Sequence, residues 1–201
     1  MKLFTCGTCG QTIHFDNRVC VRCSASLGFL AGDMALHALV PEGQRIWTIT
    51  TGAGLYRFCD NAAHDVCNWL LPADSPHAFC EACRHNRIVP TTDPKGLGRW
   101  RRIGAAQRHL FYSILRWGLP HPTREEDQTG GLVFDFLADE VDAGGNVVQA
   151  AMTGHEDGLV SLRAAEADDA VREGVRVSMD EPYRTLLGHL RHEVGHFYWT
   201  Q

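Results

Sequence analysis

The chain has 201 residues, of which 44% are hydrophobic and 21% are charged. This balance excludes a disordered or collagen-like protein and predicts a globular one, with a single domain or two small ones. The sequence has no run of the roughly 18 to 20 apolar residues that a membrane helix needs. Its first residues also lack the apolar segment of a signal peptide. We therefore expect a cytoplasmic protein without a membrane partner.

Charges and cysteines are unevenly distributed along the chain. The net charge is −5, but residues 84–124 have 9 basic and 1 acidic side chains, whereas residues 125–201 have 5 basic and 16 acidic ones. All 8 cysteines lie between Cys6 and Cys83. Because the reducing cytosol disfavours disulfides, we expect these thiols to bind zinc.

The first four cysteines form two CxxC pairs that are separated by 10 residues. Each pair forms a tight knuckle whose sulfurs can bind one ion, and the intervening residues are enough for a hairpin that brings the knuckles together. The spacing predicts a zinc ribbon in residues 1–30, with four protein ligands and no open coordination position. The ligands are Cys6, Cys9, Cys20 and Cys23.

The other four cysteines are separated by 7, 12 and 2 residues and include one CxxC pair. They are Cys59, Cys67, Cys80 and Cys83. His64 or His77 could replace one of them, and structural thiols in a small core are the alternative to a metal. A segment this short has few other means of stabilisation, so we favour a second zinc site. With strands expected at 34–40 and 45–50, residues 31–90 are predicted to form a β-rich zinc module.

Residues 97–117 have apolar side chains at steps of three and four, which predicts an amphipathic helix that ends at Gly118. Its polar positions are rich in arginine. The arginines are Arg99, Arg101, Arg102, Arg108 and Arg116. A nucleic-acid patch and a solvated face that neutralises the acidic last third both fit this pattern. We expect the second, because the helix is too apolar for a free basic arm.

The last third is predicted to contain strands at 131–137, 146–152 and 158–162, followed by a helix from Tyr183 to about Trp199. Asp180 or Glu181 is expected to cap this helix, and Pro182 to occupy its first position.

The predicted helix contains an HExxH motif at residues 192–196. At about 100° per residue, His192 and His196 lie one turn apart on the side opposite the apolar stripe, where they can share a zinc ion. Glu193 lies beside them and is the candidate general base. Histidines satisfied by hydrogen bonds are the alternative. We expect His189, on the same polar side, to be a surface histidine.

Zinc proteases commonly hold an extended substrate on an edge strand that precedes the HExxH helix. We assign this role to the third predicted strand. Its residues are Gly158, Leu159, Val160, Ser161 and Leu162. A third zinc ligand is not evident, because His155 and Glu156 lie upstream, against the usual order, and only 5 residues follow His196.

These motifs resemble a bacterial family of zinc-ribbon proteins that are zinc-binding metallopeptidases of the HExxH, gluzincin-like class. The resemblance covers nearly all of the chain. It is densest in the first cysteine quartet and in residues 66–70, 153–158, 165–170 and 181–199. The resemblance implies a peptidase-like fold and a third ligand, a glutamate, in a further helical region that follows the motif. We therefore expect the catalytic domain to be incomplete in this chain.

The sequence thus predicts an α+β protein with a zinc ribbon (1–30), a second zinc module (31–90) and the first part of a zincin-like domain (91–201). That part is expected to contain an amphipathic helix, a small antiparallel or mixed sheet and the HExxH helix. Two structural zinc ions and one incomplete catalytic zinc site are expected.

The expected function is zinc-dependent cleavage of a protein or peptide, with the zinc modules recruiting the substrate or a protein partner. Little or no activity is expected from the chain as given, because the third zinc ligand is missing. The alternative is an adaptor that binds protein or nucleic acid on a non-catalytic scaffold.

Overall fold

The computed structural model describes residues 2–50, 52, 54–90 and 93–199. The chain has an α+β fold that divides into two compact units, Met1–Arg84 and His85–Gln201. None of the helices within the described ranges is long and apolar enough to cross a membrane.

The first unit is built from short antiparallel strands. Strand β1 (Phe4–Thr5) pairs with β2 (Thr12–Ile13) in a small hairpin. A five-stranded sheet follows, in which neighbours in sequence are neighbours in space. Its strands are β3 (Ser26–Leu30), β4 (Ala35–Gly43), β5 (Ile46–Ile49), β6 (Tyr56–Phe58) and β7 (Leu70–Pro72). Strands β4 and β5 correspond to the predicted pair, and the turn between them lies at residues 44–45.

An aromatic cluster forms much of the core of this unit. The Phe29 ring lies 4.9 Å from Phe15 and 4.8 Å from Trp69, measured between ring centroids, and all three side chains are buried. Phe15 lies between the two CxxC pairs and Trp69 between cysteines of the second quartet. The two cysteine-rich segments therefore share one core, and their division at residue 30 stays a prediction.

The second unit contains a four-stranded mixed sheet. Its strands are β8 (Asn86–Ile88), β9 (Val133–Leu137), β12 (Gly154–Glu156) and β13 (Leu159–Arg163), and a separate hairpin consists of β10 (Glu140–Val141) and β11 (Val147–Gln149). The spatial order is β12-β13-β9-β8, with β12 antiparallel to β13 and the other two pairings parallel. The mixed sheet agrees with the predicted fold class.

This topology corrects the predicted substrate strand. The segment 158–162 corresponds to β13, which pairs with β12 on one side and with β9 on the other. Its backbone N–H and C=O groups are already used in the sheet, so the prediction that it receives a substrate was wrong. The edges of this sheet, within the described residues, are β12 and β8. Edge position depends on strand pairing, which the residue pattern of a single strand does not specify.

The described residues form three α-helices: α1 (Pro94–Trp117), α2 (Asp169–Ser178) and α3 (Leu186–Trp199). Helix α1 begins earlier than predicted, because the Asp93 side chain accepts hydrogen bonds from the backbone N–H groups of Lys95 (3.0 Å) and Gly96 (3.2 Å). It ends at Gly118, which has a left-handed φ of 63°. Helix α2 lies in the acidic segment for which no helix was predicted.

Helix α3 begins later than predicted. The expected caps at residues 180–182 lie before the helix, and Thr185 serves instead, since its Oγ1 accepts a hydrogen bond from the N–H of Gly188 at 2.9 Å. Arg184, just before this cap, is held by Glu181 and Glu166. The prediction from Pro182 failed because these ion pairs favour a non-helical backbone at residues 181–185.

One face of the sheet is apolar and carries the helices. The parallel register of β9 and β13 pairs Phe134 with Val160 and Phe136 with Leu162, and all four side chains are buried. Phe111 of α1 lies 6.0 Å from Phe134 between ring centroids, and α3 contacts β12, β13 and α1. Each such buried side chain contributes about 1.5–3 kcal/mol. The apolar side of the HExxH helix is therefore anchored on this layer.

Gly158 makes the hairpin of β12 and β13 possible. Asp157 and Gly158 form a two-residue turn with φ values of 44° and 78°, as in a type I′ hairpin. A Cβ atom on Gly158 would lie 2.6 Å from the carbonyl oxygens of both Gly130 and Gly131. The turn therefore needs glycine for its backbone conformation and for space.

We predict that Gly158→Ala destabilises the protein by at least about 2 kcal/mol, because a left-handed φ costs about 1–2 kcal/mol and the methyl group also collides with backbone. The matched control is Gly174→Ala in α2, where an added Cβ meets nothing within 4 Å. The control should stabilise the protein by about 0.5–1 kcal/mol. Urea denaturation measures both changes, and an unchanged midpoint for Gly158→Ala would contradict the structure of the turn.

Candidate functional site

The structure brings the eight cysteines together as the two predicted quartets. The sulfur atoms of Cys6 and Cys23 are 3.7 Å apart, those of Cys9 and Cys20 3.6 Å. In the second quartet, the sulfurs of Cys67 and Cys80 are 3.7 Å apart. Two thiolates bound to one tetrahedral zinc at about 2.3 Å are separated by about 3.8 Å, whereas sulfurs in a disulfide are about 2.05 Å apart. The distances fit zinc, and neither His64 nor His77 belongs to either quartet.

The second quartet is completely buried, whereas the first is partly exposed at Cys9 and Cys23. Burial raises the pKa of the Cys80 thiol well above its ordinary value, and the neighbouring Cys59 and Cys67 add to this shift. A divalent cation reverses such a shift, because it stabilises thiolates directly. Both quartets supply four protein ligands and are therefore closed, structural zinc sites.

His192 and His196 lie on the exposed side of α3, as the motif predicted. Their Nε2 atoms are 3.2 Å apart, and the ring planes meet at 88°. Two imidazole nitrogens at 2.0–2.1 Å from a tetrahedral zinc are separated by about 3.3 Å. The pair therefore has the spacing of two zinc ligands. This spacing is also that of a hydrogen bond, which a metal would replace.

Glu193 and His155 flank this pair on the side of the sheet. Glu193 is buried, with 7% of its surface exposed. His155 lies on the edge strand β12, and its ring is nearly parallel to that of His196, at 18° and 6.1 Å between centroids. Burial lowers the pKa of His155, and the proximity of His196 lowers it further. No catalytic role was predicted for His155 from the sequence, but its ring lies beside the HExxH motif.

A stronger sequence signal for His155 existed in the Asp157-Gly158 pair. Such a pair between two short segments indicates a two-residue hairpin, which would have paired residues 154–156 with 159–161. That pairing places His155 opposite Val160, but its strand is the outer one only because β13 also pairs with β9. Strand β12 was not predicted because its three residues are too few to show the alternation of apolar and polar side chains that indicates a strand.

A buried carboxylate connects β12 to α3. Glu166, in the 3-10 turn Ala164–Ala167, accepts a hydrogen bond from Thr153 Oγ1 at 2.7 Å. Its other oxygen lies 2.8 Å from Nδ1 of His189 and 3.1 Å from Nη2 of Arg184. His189 is therefore not the surface histidine that the sequence predicted. It is half-buried and lies one helical turn before His192.

The ion pairs of Glu166 change its acidity. Burial by itself would raise the pKa of Glu166, but hydrogen bonds from His189 and Thr153 and the charge of Arg184 outweigh it and lower the pKa to about 2. The carboxylate is therefore ionised at neutral pH and fully satisfied, as a buried charge must be.

The basic helix α1 is neutralised by the acidic last third. Arg99 Nη2 lies 2.6 Å and Arg102 Nη1 3.0 Å from the carboxylate of Asp168. Arg108 is buried. The predicted neutralisation is confirmed for Arg99 and Arg102.

Residues 96–201 match the family described as "Putative zinc-binding metallo-peptidase", and residues 3–94 match a zinc-ribbon domain. The first match spans more than half of the chain and includes the HExxH helix. The chain belongs to this metallopeptidase family. The resemblance inferred from the motifs is thereby confirmed.

Three mycobacterial proteins are similar to this metallopeptidase family member over nearly its whole length. They are the uncharacterized proteins Mb2598c of Mycobacterium bovis and MT2644 and Rv2568c of Mycobacterium tuberculosis. Each is 38% identical over 200 residues, which is 99% of this chain and 53% of the relative. The chain thus spans about half the length of the curated relatives it matches. No solved structure matches it.

We predict that Cys67→Ser removes one of two tightly held zinc ions and lowers the thermal stability of the first unit, because metal binding contributes directly to folding. Thr8→Ser, inside the first CxxC knuckle, changes no ligand and should retain both ions. Metal analysis of protein dialysed against a weak chelator measures the content. Two zinc ions in Cys67→Ser would contradict the assignment of the second quartet.

A second prediction concerns Glu166. Its pKa falls from an ordinary 4.5 to about 2 on folding, so it contributes stability above about pH 4.5 that is lost as the pH falls towards 2. Glu166→Gln should therefore cost about 3 kcal/mol at pH 7, at 1.36 kcal/mol per unit, and much less at pH 2. Urea unfolding at both pH values tests this, with the exposed Glu173→Gln as control. A difference that does not shrink at low pH would mean that the Glu166 carboxylate is not the group responsible.

Proposed function

We propose that the second unit hydrolyses peptide bonds in a protein or peptide, with His192 and His196 as zinc ligands and Glu193 as general base. The observation that most supports this is the 3.2 Å separation of the two Nε2 atoms on the exposed side of α3. Membership of the zinc-binding metallo-peptidase family supports the same reaction class.

His192 and His196 would hold the zinc, and the bound ion would supply polarisation of the peptide carbonyl and of the attacking water. The residues of the chain supply the remaining steps. Glu193 accepts the proton of the attacking water and returns it to the leaving amine. The carboxylate is buried beside the exposed imidazoles. Its surroundings therefore have a lower dielectric constant than water, which strengthens its electrostatic interactions.

We infer that the substrate binds along β12. In the hairpin register, Glu156 and Leu159 close the two-residue turn as a hydrogen-bonded pair. The next pair, His155 and Val160, is therefore a non-hydrogen-bonded pair, because the two types alternate along an antiparallel ladder. The backbone N–H and C=O of His155 therefore point to the free edge, where an extended peptide can pair with them.

Two cavities flank the proposed path of the substrate. One, of about 360 Å³, lies along β12 and is lined by His155, Leu159 and Met152, among others. The other, of about 250 Å³, adjoins His192 and is lined by Tyr183 and Gly188, among others. They provide space for substrate side chains along β12 and next to His192.

The proposed catalytic site differs from the cysteine sites in its number of ligands. Within the described ranges, no third His, Cys, Asp or Glu groups with His192 and His196. Two histidines hold zinc more weakly than four thiolates do. We therefore expect slow cleavage by this chain, and expect it to depend on zinc added beyond the amount that fills the cysteine quartets.

We further propose that the first unit recruits the substrate or a protein partner. Its two zinc sites have four protein ligands each, which leaves them without an open position for chemistry. The ribbon also exposes apolar side chains, including Val21 (85% exposed) between Cys20 and Cys23. An apolar, exposed knuckle is suited to contact another protein.

The test is cleavage of a peptide library by the zinc-supplemented protein, followed by mass spectrometry. Glu193→Gln should lower the rate at least about 100-fold, the usual contribution of a general base, while the zinc content stays the same. The exposed Glu173→Gln should have no effect. Cleavage that persists in Glu193→Gln, or that survives removal of zinc, would sink the proposal, as would the absence of any zinc-dependent cleavage.

A further inference from the structure

We propose that His155 is a catalytic residue whose imidazole N–H binds the carbonyl oxygen of the scissile peptide as negative charge develops on it. This inference rests on the proposed peptide hydrolysis and deepens it, because it assigns the electrostatic partner of the reacting carbonyl. Neither the HExxH motif nor its spacing points to this residue.

The hairpin determines where the His155 side chain lies. Because side chains alternate along a strand, His155 and its cross-strand partner Val160 lie on the same face of the sheet. Val160 is fully buried, and β12 and β13 contact α3. The ring of His155 is therefore directed to the helix side, where it stacks near His196.

The ring lies beside the histidine pair without belonging to it. When two imidazoles bind one tetrahedral zinc with Zn–N distances of 2.0–2.1 Å, their ring centroids are about 5.2 Å apart. His192 and His196 are 4.8 Å apart by this measure, but His155 and His196 are 6.1 Å apart. No group of three ligands that includes His155 occurs within the described residues. His155 is thus a neighbour of the proposed zinc position and not a third ligand.

The hydrogen bonding of His155 defines its proton. Its Nε2 lies 3.3 Å from the backbone N of Gly158. A backbone N–H can only donate, so Nε2 accepts and the proton of the neutral ring is on Nδ1. Gly158 is itself held against Gly130 and Gly131. The ring therefore presents an N–H donor whose tautomer is set by the hydrogen bond from Gly158.

Such a donor has a defined task in peptide hydrolysis. Attack of water on the carbonyl carbon converts the carbonyl oxygen to an oxyanion, and a donor already in place stabilises this charge without reorganisation. The backbone of His155 faces the proposed substrate strand and its ring lies 6.1 Å from that of His196, so in this proposal the same residue aligns the peptide and donates to the reacting carbonyl. Loss of one such donor typically lowers kcat by about 10²–10³-fold.

Three substitutions separate this role from packing. His155→Asn places an amide N–H near the position of Nδ1, His155→Gln places one near Nε2 instead, and His155→Phe retains the ring but has no donor. We expect kcat to fall by about 10²–10³-fold in the Gln and Phe variants, with little change in KM. The Asn variant should retain most of the activity. Equal losses in Asn and Gln, or no loss in any variant, would refute the role of the N–H.

Two measurements do not depend on turnover. Calorimetry with a peptide phosphonamidate, whose oxygens mimic the tetrahedral intermediate, should show weaker binding to the zinc-loaded Gln and Phe variants by a similar factor, with unchanged zinc content. In protein whose cysteine quartets hold zinc but to which no further zinc has been added, ¹⁵N NMR of the His155 ring should find the proton on Nδ1. A fall in zinc content would make His155 a ligand, and a proton on Nε2 would remove the proposed donor. Either result overturns the inference.

The two proposals fail in different ways. If Glu193→Gln leaves cleavage intact, the proposed peptidase function itself is wrong. If Glu193→Gln blocks cleavage while His155→Gln does not, and phosphonamidate binding is unchanged, only the role of His155 is wrong.

Discussion

The geometry of the proposed catalytic site depends on one buried carboxylate. Glu166 joins three separate parts of the second unit: Thr153 at the start of the edge strand, Arg184 in the segment before α3, and His189 within α3. A buried charge is tolerated only when its partners surround it, so these parts must meet at Glu166 for the unit to be stable. The distance between β12 and the HExxH helix follows from this requirement. His155 and His196 belong to those two elements, and their proximity is a consequence of the same ion pairs.

The first unit is organised by a different constraint. Its strands are mostly two to five residues long, and its aromatic core is small. The two cysteine quartets compensate, because metal binding contributes folding free energy where buried apolar area is limited. Closed zinc sites have no position for a substrate, so the chemistry of this protein is expected in the second unit. The proposed division between recruitment in the first unit and catalysis in the second rests on the number of protein ligands at each site.

The features that the sequence predicted correctly depend on short separations along the chain. A CxxC knuckle and a histidine pair four residues apart are local geometries, set by the backbone of a turn or a helix. The end of α1 at Gly118 is local in the same sense. The neutralisation of Arg99 and Arg102 was predictable for another reason, since a strongly acidic region of the same chain offers nearby partners for a basic helix. The wrong predictions involve distant partners: β13 is internal because β12 and β9 flank it, and His189 is half-buried because Glu166 lies against it.

The start of α3 is another feature that depends on residues distant in sequence. Pro182 after two acidic residues is a sound local signal for a helix start, but Arg184 binds Glu166, which lies 18 positions away in sequence. The ion pairs hold the intervening residues out of the helix, and Thr185 becomes the cap. A local preference worth about 1 kcal/mol is overcome by a network that satisfies a buried charge.

The amino-acid sequence by itself determined the ligands of the first cysteine site and the exposed face that His192 and His196 share. These properties follow from spacing within a knuckle, a hairpin or one turn of helix. For the second site the sequence left His64 and His77 as possible ligands, and only the structure grouped the four cysteines without them. Only the tertiary structure decided which strand forms the sheet edge and which histidine lies beside the motif. Both depend on how β12, β13 and α3 pack around Glu166, and packing joins residues whose separation in sequence has no fixed relation to their separation in space.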